Sequence, residues 1–263
     1  MSRSSVYVPD LDAVAWKPLG EVLPDYPQAS LDALRAEAKL VNEDPDTGAL
    51  TLVVKLPPGA ADPTRGSHSA DQELFLLEGD LSLDGETFHA PAYWYLPAGT
   101  IHGDSDTQGG AILIASFTGA FDFTAATEAE LQAPPVSRGI DADAIEWSQT
   151  SDLVEGYTYV GPLTKMLRED PVTGGSASLV RLPPGYTHPH LSFHQYTQEQ
   201  FLLEGTVNET GVERHALAYW CHPPGEVHGK SFTTDEGCTS LLLFDGPWEV
   251  TIVEDEELEA SAL

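Results

Sequence analysis

Short runs of apolar residues, each bounded by glycine or proline, recur along the chain and predict β-strands. Thr51–Leu56 is rich in β-branched residues, Glu73–Glu78 ends at Gly79, and Tyr93–Leu96 ends at Pro97. Ala111–Phe117 is a continuous apolar run of the kind found in strands that are buried on both faces. Strands this short, separated by turn residues, favour an all-β barrel or sandwich.

Helical periodicity is confined to two segments. Ser30–Ala38 has the composition of a short helix, and Ala126–Ala133 could form another before Pro134-Pro135 ends it. Neither segment is long enough to change the all-β assignment.

The chain also repeats itself at an offset of 126 residues. Residues 44–103 match residues 170–229 without a gap at 28 of 60 positions. The lead-in to each copy is similar as well, since Asp10, Asp12, Ala13 and Trp16 correspond to Asp141, Asp143, Ala144 and Trp147. We therefore expect an internal duplication, with one domain at 1–125, a linker, and a second domain at 136–263.

The charge balance removes some classes of partner. Among 263 residues, 12 are basic and 42 are acidic, which gives a formal net charge of −30. Such a protein repels phosphate groups, so we expect it to bind neither nucleic acid nor an anionic membrane. The acidic end, Glu254–Glu259, is expected to be a solvated tail.

Cysteine content and hydropathy point to a cytoplasmic protein. The two cysteines, Cys221 and Cys238, lack the spacing of a thiolate metal site and are too few for a disulfide framework. The chain has no apolar stretch of membrane-spanning length and no recognisable signal peptide at its start.

The second copy carries the residues with the most chemical information. Leu182–Gly205, followed by Pro223-Pro224-Gly225 and His228, resembles the two signature motifs of the cupin superfamily. The tryptophan-led lead-in, the DPxTG turn and the FLLEG strand look most like the cupin domain of certain zinc-binding anti-sigma factors and their stand-alone relatives. The resemblance implies two tandem, jelly-roll-like β-barrels, each able to hold one divalent metal in its mouth.

Carried over position by position, the resemblance implies two histidines and one glutamine in each copy. In the second copy the candidate metal ligands are His194, Gln198 and His228. In the first copy they are His68, Gln72 and His102. The family's remaining histidine is replaced by Ser192 and by Gly66, and the glutamines stand where the family usually has glutamate.

A nearby imidazole could replace the missing ligand in the second copy. His190 lies four residues before His194, so in a continuous strand it would share the same face and serve as a fourth ligand or as an acid or base. If a bulge shifted the strand, Glu73 and Glu199 would instead become ligands.

The first copy lacks this imidazole. It has Asp62 and Thr64 at the positions of His188 and His190. We therefore expect the second copy to hold the better site.

Two functions fit these features. The first is a metal-dependent enzyme, a non-haem dioxygenase or a related oxidoreductase acting on a small organic molecule. Iron(II) is the favoured metal, with zinc, manganese and nickel as alternatives. The second is a non-catalytic regulatory cupin that senses a metal or a small ligand. In either case the first copy could be retained for packing or homodimer formation.

Overall fold

The structure is a computed structural model, and it describes residues 4–132, 138–154, 156–209, 211–229 and 232–253. The predicted acidic tail at Glu254–Glu259 lies outside the described residues. So do Ala133 and the two prolines that were expected to end the linker helix.

The chain divides into two compact units. The N-terminal unit is Val14–Ala144, and the C-terminal unit comprises the described residues of Met1–Ala13 and Ile145–Leu263. These bounds differ from the expected 1–125 and 136–263, because the first residues of the chain lie with the C-terminal unit. Both units consist mainly of antiparallel strands, as the sequence pattern predicted.

The first part of the chain contains twelve strands and three short helices among the described residues. The strands are β1 (Val6–Val8), β2 (Lys17–Pro18), β3 (Glu37–Glu43), β4 (Leu50–Leu56), β5 (Ala61–Ser67), β6 (Gln72–Leu83), β7 (Glu86–His89), β8 (Ala92–Leu96), β9 (His102–Asp106), β10 (Ala111–Phe117), β11 (Thr124–Ala125) and β12 (Gly139–Asp141). The helices are α1 (Leu19–Val22), α2 (Gln28–Leu34) and α3 (Glu128–Leu131).

The sheet of the N-terminal unit is centred on the long strand β6. Its order is β11-β5-β9-β6-β10-β4-β3-β2, with β7 and β8 also paired to β6 and β12 paired to β8. Strand β4 is buried on both faces along most of its length, as its continuous apolar run requires.

A bulge bends β6 as it crosses from one part of the sheet to the next. The register between β6 and β10 shifts after Leu76, and Gly79 follows with a φ of +85°. A Cβ atom at Gly79 would lie 1.8 Å from the carbonyl oxygen of Gly110, so this close approach of two backbones requires glycine.

The second part of the chain forms the sheet of the C-terminal unit. Its strands are β13 (Ser148–Gln149), β14 (Leu163–Glu169), β15 (Ser176–Leu182), β16 (Tyr186–Thr187), β17 (Leu191–Phe193), β18 (Gln198–Glu209), β19 (Val212–His215), β20 (Tyr219–His222), β21 (Thr233–Thr234), β22 (Cys238–Phe244) and β23 (Thr251–Val253). The sheet order is β1-β20-β18-β22-β15-β14-β13, and β17 pairs separately with β23.

The lead-in strands pair in an unexpected way. Strand β1, at the start of the chain, pairs with β20 of the C-terminal unit, and β12 pairs with β8 of the N-terminal unit. The guanidinium carbon of Arg214 lies 3.9 Å from the ring centroid of Tyr7, and the Tyr7 ring meets Trp220 edge-on. These aromatic and cation–π contacts fix β1 on the C-terminal sheet.

The prediction of a helix over Ser30–Ala38 is wrong in its second half. The helix α2 ends at Leu34, because Arg35 adopts a left-handed conformation with a φ of +50°. Strand β3 begins at Glu37 and pairs with β4, so non-local strand pairing overrides the local preference of alanine and glutamate for a helix.

Two further observations concern the cysteines and the helices. Cys221 and Cys238 are both buried. Across the described ranges, no helix combines the length and the apolar character that crossing a membrane requires.

Candidate metal centre

The N-terminal unit encloses a cavity of about 130 Å³. His68, Gln72 and His102 all line it. His68 directly follows β5, Gln72 begins β6 and His102 begins β9, so three strand ends bring the side chains together. The backbone of Gly66 pairs with His102, which places the position of the missing family histidine at the same cavity.

The C-terminal unit encloses a smaller cavity of about 90 Å³, lined by His194, Gln198 and His228. His194 follows β17 and Gln198 begins β18. The backbone of Ser192 exchanges two hydrogen bonds of 2.9 Å with His228, which fixes the loop that carries this histidine. The structure thus brings together the expected residues of each copy.

The two pairs of histidines have nearly the same arrangement. The ring centroids of His68 and His102 are 5.3 Å apart, and those of His194 and His228 are 5.2 Å apart. His68, His102 and His194 are buried, and His228 is half-buried. The geometry therefore recurs in both units, even though the cavities differ in size.

Backbone carbonyls determine the tautomer of each histidine. Nδ1 of His68 contacts the carbonyl oxygen of Asp122, and Nδ1 of His102 lies 2.9 Å from that of Thr100. In the C-terminal unit, Nδ1 of His194 lies 2.5 Å from the Glu249 carbonyl oxygen. Because a carbonyl oxygen can only accept, Nδ1 must donate and Nε2 keeps its lone pair.

The same argument holds for His228, whose Nδ1 donates to the carbonyl oxygen of Glu226 at 2.9 Å. A histidine that donates one N–H to a backbone carbonyl and presents the other nitrogen bare has the arrangement that metal-ligating histidines usually have. All four histidines predicted as metal ligands share it.

Burial keeps these imidazoles neutral. Desolvation is the main cause that lowers the pKa of His194 to about 4 and that of His228 to about 3, and the charge of a neighbouring histidine lowers both further. Desolvation also lowers the pKa of His68 and of His102. A neutral imidazole can bind a metal without first losing a proton.

The glutamines supply the third donor. Gln72 Oε1 and Gln198 Oε1 are both buried and have no hydrogen-bond partner among the described residues. A buried amide oxygen without a partner is costly and calls for an explanation. A divalent cation would satisfy it together with the two bare imidazole nitrogens, so the residues of both cavities fit a metal.

A hydrogen-bonded chain orients the glutamine of the C-terminal unit only. Gln198 Nε2 donates to Gln200 Oε1 at 3.4 Å, and Gln200 Nε2 donates to Ser240 Oγ at 3.1 Å. This chain engages the amide nitrogen of Gln198 and leaves its oxygen for a metal.

The N-terminal cavity has leucines in the corresponding places. Leu74 stands two residues after Gln72, as Gln200 does after Gln198. Leu113 pairs with Leu76, and Ser240 pairs with Leu202, which corresponds to Leu76 in the repeat. Both leucines line the cavity, so no comparable chain holds the amide of Gln72 there.

The structure does not bring His190 to the site. His190 is exposed and does not line the cavity, whereas His188 does. The expectation assumed one continuous strand from His190 to His194, but β17 begins only at Leu191 and the chain turns before it. The alternation of faces therefore does not extend back to His190.

The two glutamates do not replace the glutamines. Neither Glu73 nor Glu199 lines a cavity, and Glu73 accepts a hydrogen bond of 2.7 Å from the hydroxyl of Tyr93. The bulge in β6 follows Leu76, too far along the strand to turn Glu73 inward.

Sequence reasoning missed several residues of the C-terminal cavity. Tyr157, Tyr159 and Tyr186 line it together with His188 and Gln200. Gln200 could have been found, because it shares a strand face with Gln198. The tyrosines come from separate loops and strands, and no local sequence signal links them to the motif.

Another histidine supports the site from outside the cavity lining. His222 is opposite Gln198 in the strand pairing, and its ring stacks on His228 with a centroid distance of 4.1 Å.

In the described part of the chain, no three histidine, cysteine, aspartate or glutamate side chains are grouped as a metal site would require. Each candidate centre therefore depends on its glutamine as third donor.

Comparison with known proteins gives a family and a fold. The family model described as "Domain of unknown function (DUF4437)" matches residues 27–251. No curated protein sequence matches the chain.

Solved structures resemble the whole chain. A provisionally assigned dioxygenase from Nostoc punctiforme is 21% identical, with a TM-score of 0.78 over 96% of this chain and 87% of that chain. Salicylate 1,2-dioxygenase from Pseudaminobacter salicylatoxidans is 14% identical, with a TM-score of 0.64 over 95% of this chain and 88% of that chain.

Oxalate decarboxylase from Lactobacillus farciminis is also 14% identical, with a TM-score of 0.56 over 87% of this chain and 88% of that chain. These neighbours are cupin-fold proteins, and at such low identity the likeness shows that this chain has the cupin fold and nothing more. The finer resemblance to anti-sigma factors stays a prediction.

Proposed function

We propose, from the premise that this chain belongs to the DUF4437 family, that it is a metal-dependent cupin enzyme of the dioxygenase type acting on a small organic molecule. One observation carries the proposal. In each unit two imidazoles with bare Nε2 atoms line the same cavity as one buried amide oxygen that has no hydrogen-bond partner among the described residues. Dioxygenases and a decarboxylase among the similar structures support it.

The donor set limits the chemistry. His194, Gln198 and His228 would hold the metal in the C-terminal unit, and His68, Gln72 and His102 in the N-terminal unit. Two nitrogen donors and one oxygen donor suit iron(II), our favoured metal, and also zinc, manganese or nickel. A bound ion with open positions supplies Lewis-acid or oxygen-activating chemistry.

The protein's own residues supply binding and enclosure. The backbone carbonyls that accept from each Nδ1 orient the imidazoles. Phe244 packs edge-on against His194 and stacks on Trp248, which closes one side of the C-terminal cavity.

We place the principal site in the C-terminal unit. The support is the chain from Gln198 through Gln200 to Ser240, which orients the amide oxygen as a donor. In the N-terminal unit, Leu74 and Leu113 offer no such orientation. A pre-oriented donor loses less conformational freedom on binding, so we expect the C-terminal site to bind a metal more tightly.

Metal content per chain tests the proposal. Mass spectrometry would compare the wild type with His228→Ala, with His102→Ala and with His215→Ala, an exposed histidine of the C-terminal unit as control. We expect His228→Ala to remove most of the bound metal, and the other two variants to remove little. No metal in the wild type, even after reconstitution with iron, zinc, manganese and nickel, would overturn the proposal.

Oxygen uptake with candidate substrates then tests the enzymatic part. Consumption that is lost in His228→Ala and kept in His215→Ala would support an oxygenase. A protein that binds both metal and small molecules, but consumes neither substrate nor oxygen, would instead favour the non-catalytic sensor.

A further inference from the structure

The two cavities differ in charge at one pair of equivalent positions. Asp62 lines the N-terminal cavity, and His188, which stands 126 residues later at the same place in the repeat, lines the C-terminal cavity. The side chain of Asp62 is almost fully buried. The same barrel position therefore offers a carboxylate in one unit and an imidazole in the other.

Asp62 makes the N-terminal cavity negative. Its Oδ1 accepts a hydrogen bond of 3.0 Å from the backbone N–H of Thr64, which holds the carboxylate in place. Burial, and secondly the charge of Asp62, raise the pKa of Tyr26, another residue of the cavity wall. Among the described residues that line this cavity there is no lysine or arginine, and nearby Arg65 is paired with Asp84 at 3.1 Å.

The lining of the C-terminal cavity is neutral. Its described lining residues include no carboxylate, no lysine and no arginine. His188 Nδ1 donates to the carbonyl oxygen of His190 at 2.8 Å, and burial lowers the pKa of His188, so the imidazole is neutral near pH 7. The remaining polar groups there are hydroxyls, amides and imidazoles.

A metal would have a different charge environment in the two places. An ion held by two imidazoles and an amide keeps its full double charge, because all three donors are neutral. Leaving that charge uncompensated in a buried site is costly. In the N-terminal unit Asp62 compensates part of it, whereas no described residue that lines the C-terminal cavity carries a carboxylate, so an anionic ligand would supply the compensation there.

We propose that the C-terminal cavity takes a small organic anion, such as a carboxylate or an enolate, which binds through its oxygens to the metal, while Asp62 disfavours such anions in the N-terminal cavity. The inference rests on the metal site proposed above. His188 is then a specificity-determining residue, since a carboxylate at position 188 would exclude the anion.

Cobalt(II) can serve as a coloured probe ion for this test. In a His102→Ala background, which confines the metal to the C-terminal cavity, one equivalent of cobalt(II) would be titrated with azide, a small anion, and in parallel with neutral imidazole. The dissociation constants come from the visible spectrum of the metal. The variants are His188→Asp, which copies Asp62, and His188→Asn, which removes the imidazole without adding a charge.

We expect His188→Asp to weaken azide binding by about tenfold or more, because one nearby carboxylate typically shifts charge-dependent equilibria by one to three powers of ten. Imidazole binding should change less than threefold in both variants, and His188→Asn should keep most of the azide affinity. Equal azide affinities for all three proteins would overturn the inference. A failure to bind cobalt(II) at all, in the His102→Ala parent, would instead overturn the metal site itself.

If His188→Asp does not fold, position 240 gives a second variant. Ser240→Asp places a carboxylate in the lining of the same cavity, and it should also weaken azide binding. Unchanged azide affinity in a folded Ser240→Asp protein would also contradict the charge argument.

Discussion

The hydrogen-bonded chain behind Gln198 leads to a quantitative prediction. Gln200→Leu would give the C-terminal cavity the residue that the N-terminal cavity has at Leu74. It removes the 3.4 Å bond from Gln198 Nε2 and the 3.1 Å bond to Ser240. Gln198 is only 5% exposed, so no bulk water replaces the lost acceptor, and the amide can turn its nitrogen toward the metal.

The expected cost follows from the role of such partners. Removing a hydrogen-bond partner of a metal ligand typically costs about tenfold to a hundredfold in metal affinity. The bond to Gln198 is long, so we expect the lower end, about tenfold, which corresponds to roughly 1.4 kcal/mol. The folded state without metal should lose roughly 1–2 kcal/mol, because the Ser240 hydroxyl and the Gln198 amide each lose a buried partner.

A competition titration against a coloured chelator measures the metal affinity, and urea unfolding measures the stability. Gln195→Leu is the matched control, since it makes the same chemical change at an exposed position next to His194. The double change Leu74→Gln with Leu113→Ser transfers the chain to the N-terminal cavity, and it should raise the metal affinity there.

One result would refute this reasoning. If Gln200→Leu and Gln195→Leu bind the metal equally well, while His228→Ala loses it, the amide of Gln198 needs no orientation by Gln200. The preference for the C-terminal site would then have to come from the histidines.

Further predictions concern the backbone, the N-terminal strand and pH. Gly79→Ala places a Cβ 1.8 Å from a carbonyl oxygen and should lower the free energy of unfolding by more than about 4 kcal/mol. Gly85→Ala, with the same φ of +85° and no atom within 4 Å of its Cβ, should lower it by only about 1–2 kcal/mol. Equal urea midpoints for the two variants would contradict the steric argument. Tyr7→Ala removes the ring that stacks on Arg214 and should lower the free energy of unfolding by about 1–2 kcal/mol. Tyr7→Phe keeps the ring and should lose much less stability. Similar losses in both variants would assign the effect to the hydroxyl. Burial lowers the pKa of His194 from 6.5 to about 4, so the unfolded chain takes up its proton first as pH falls. The stability that depends on this histidine should be complete above about pH 6.5 and decline toward pH 4. Denaturation of the metal-free protein at several pH values would measure this, and the free energy of unfolding should change less with pH in His194→Asn than in the wild type. Parallel profiles would show that this imidazole does not control the acid response.

Strand prediction succeeded where burial is continuous. The predicted strand Ala111–Phe117 has the observed bounds, and Thr51–Leu56 differs by one residue. A run of apolar residues that is buried on both faces has few alternatives. The helix predicted over Ser30–Ala38 failed after Leu34, because the pairing partner of β3 lies elsewhere in the sequence.

For the candidate site, too, the sequence was informative only where the pattern is local. The spacing of histidine and glutamine located His68, Gln72, His194 and Gln198 at cavities, because each copy holds them at strand ends in the same order. His190 failed, since the argument from alternating faces holds only within a strand. The role of His188 depends on how a loop folds back, which spacing cannot show.

The strand-rich architecture, the histidines and glutamines that line each cavity and the strongly acidic character of the chain could all be predicted from the sequence. These follow from local periodicity, from motif spacing and from composition, none of which requires knowledge of distant contacts. The unit that each lead-in strand joins could be seen only in the structure, since β1 and β12 each pair with a strand that lies far away in the sequence. The tertiary structure also decided the state of each donor: the tautomer of every cavity histidine depends on a carbonyl from a neighbouring turn or from a distant segment, and the amide of Gln198 is set by Ser240 across the sheet. The contacts of His68 with Asp122, of His194 with Glu249 and of Gln200 with Ser240 join residues 40 or more positions apart, so they form only when distant segments come together.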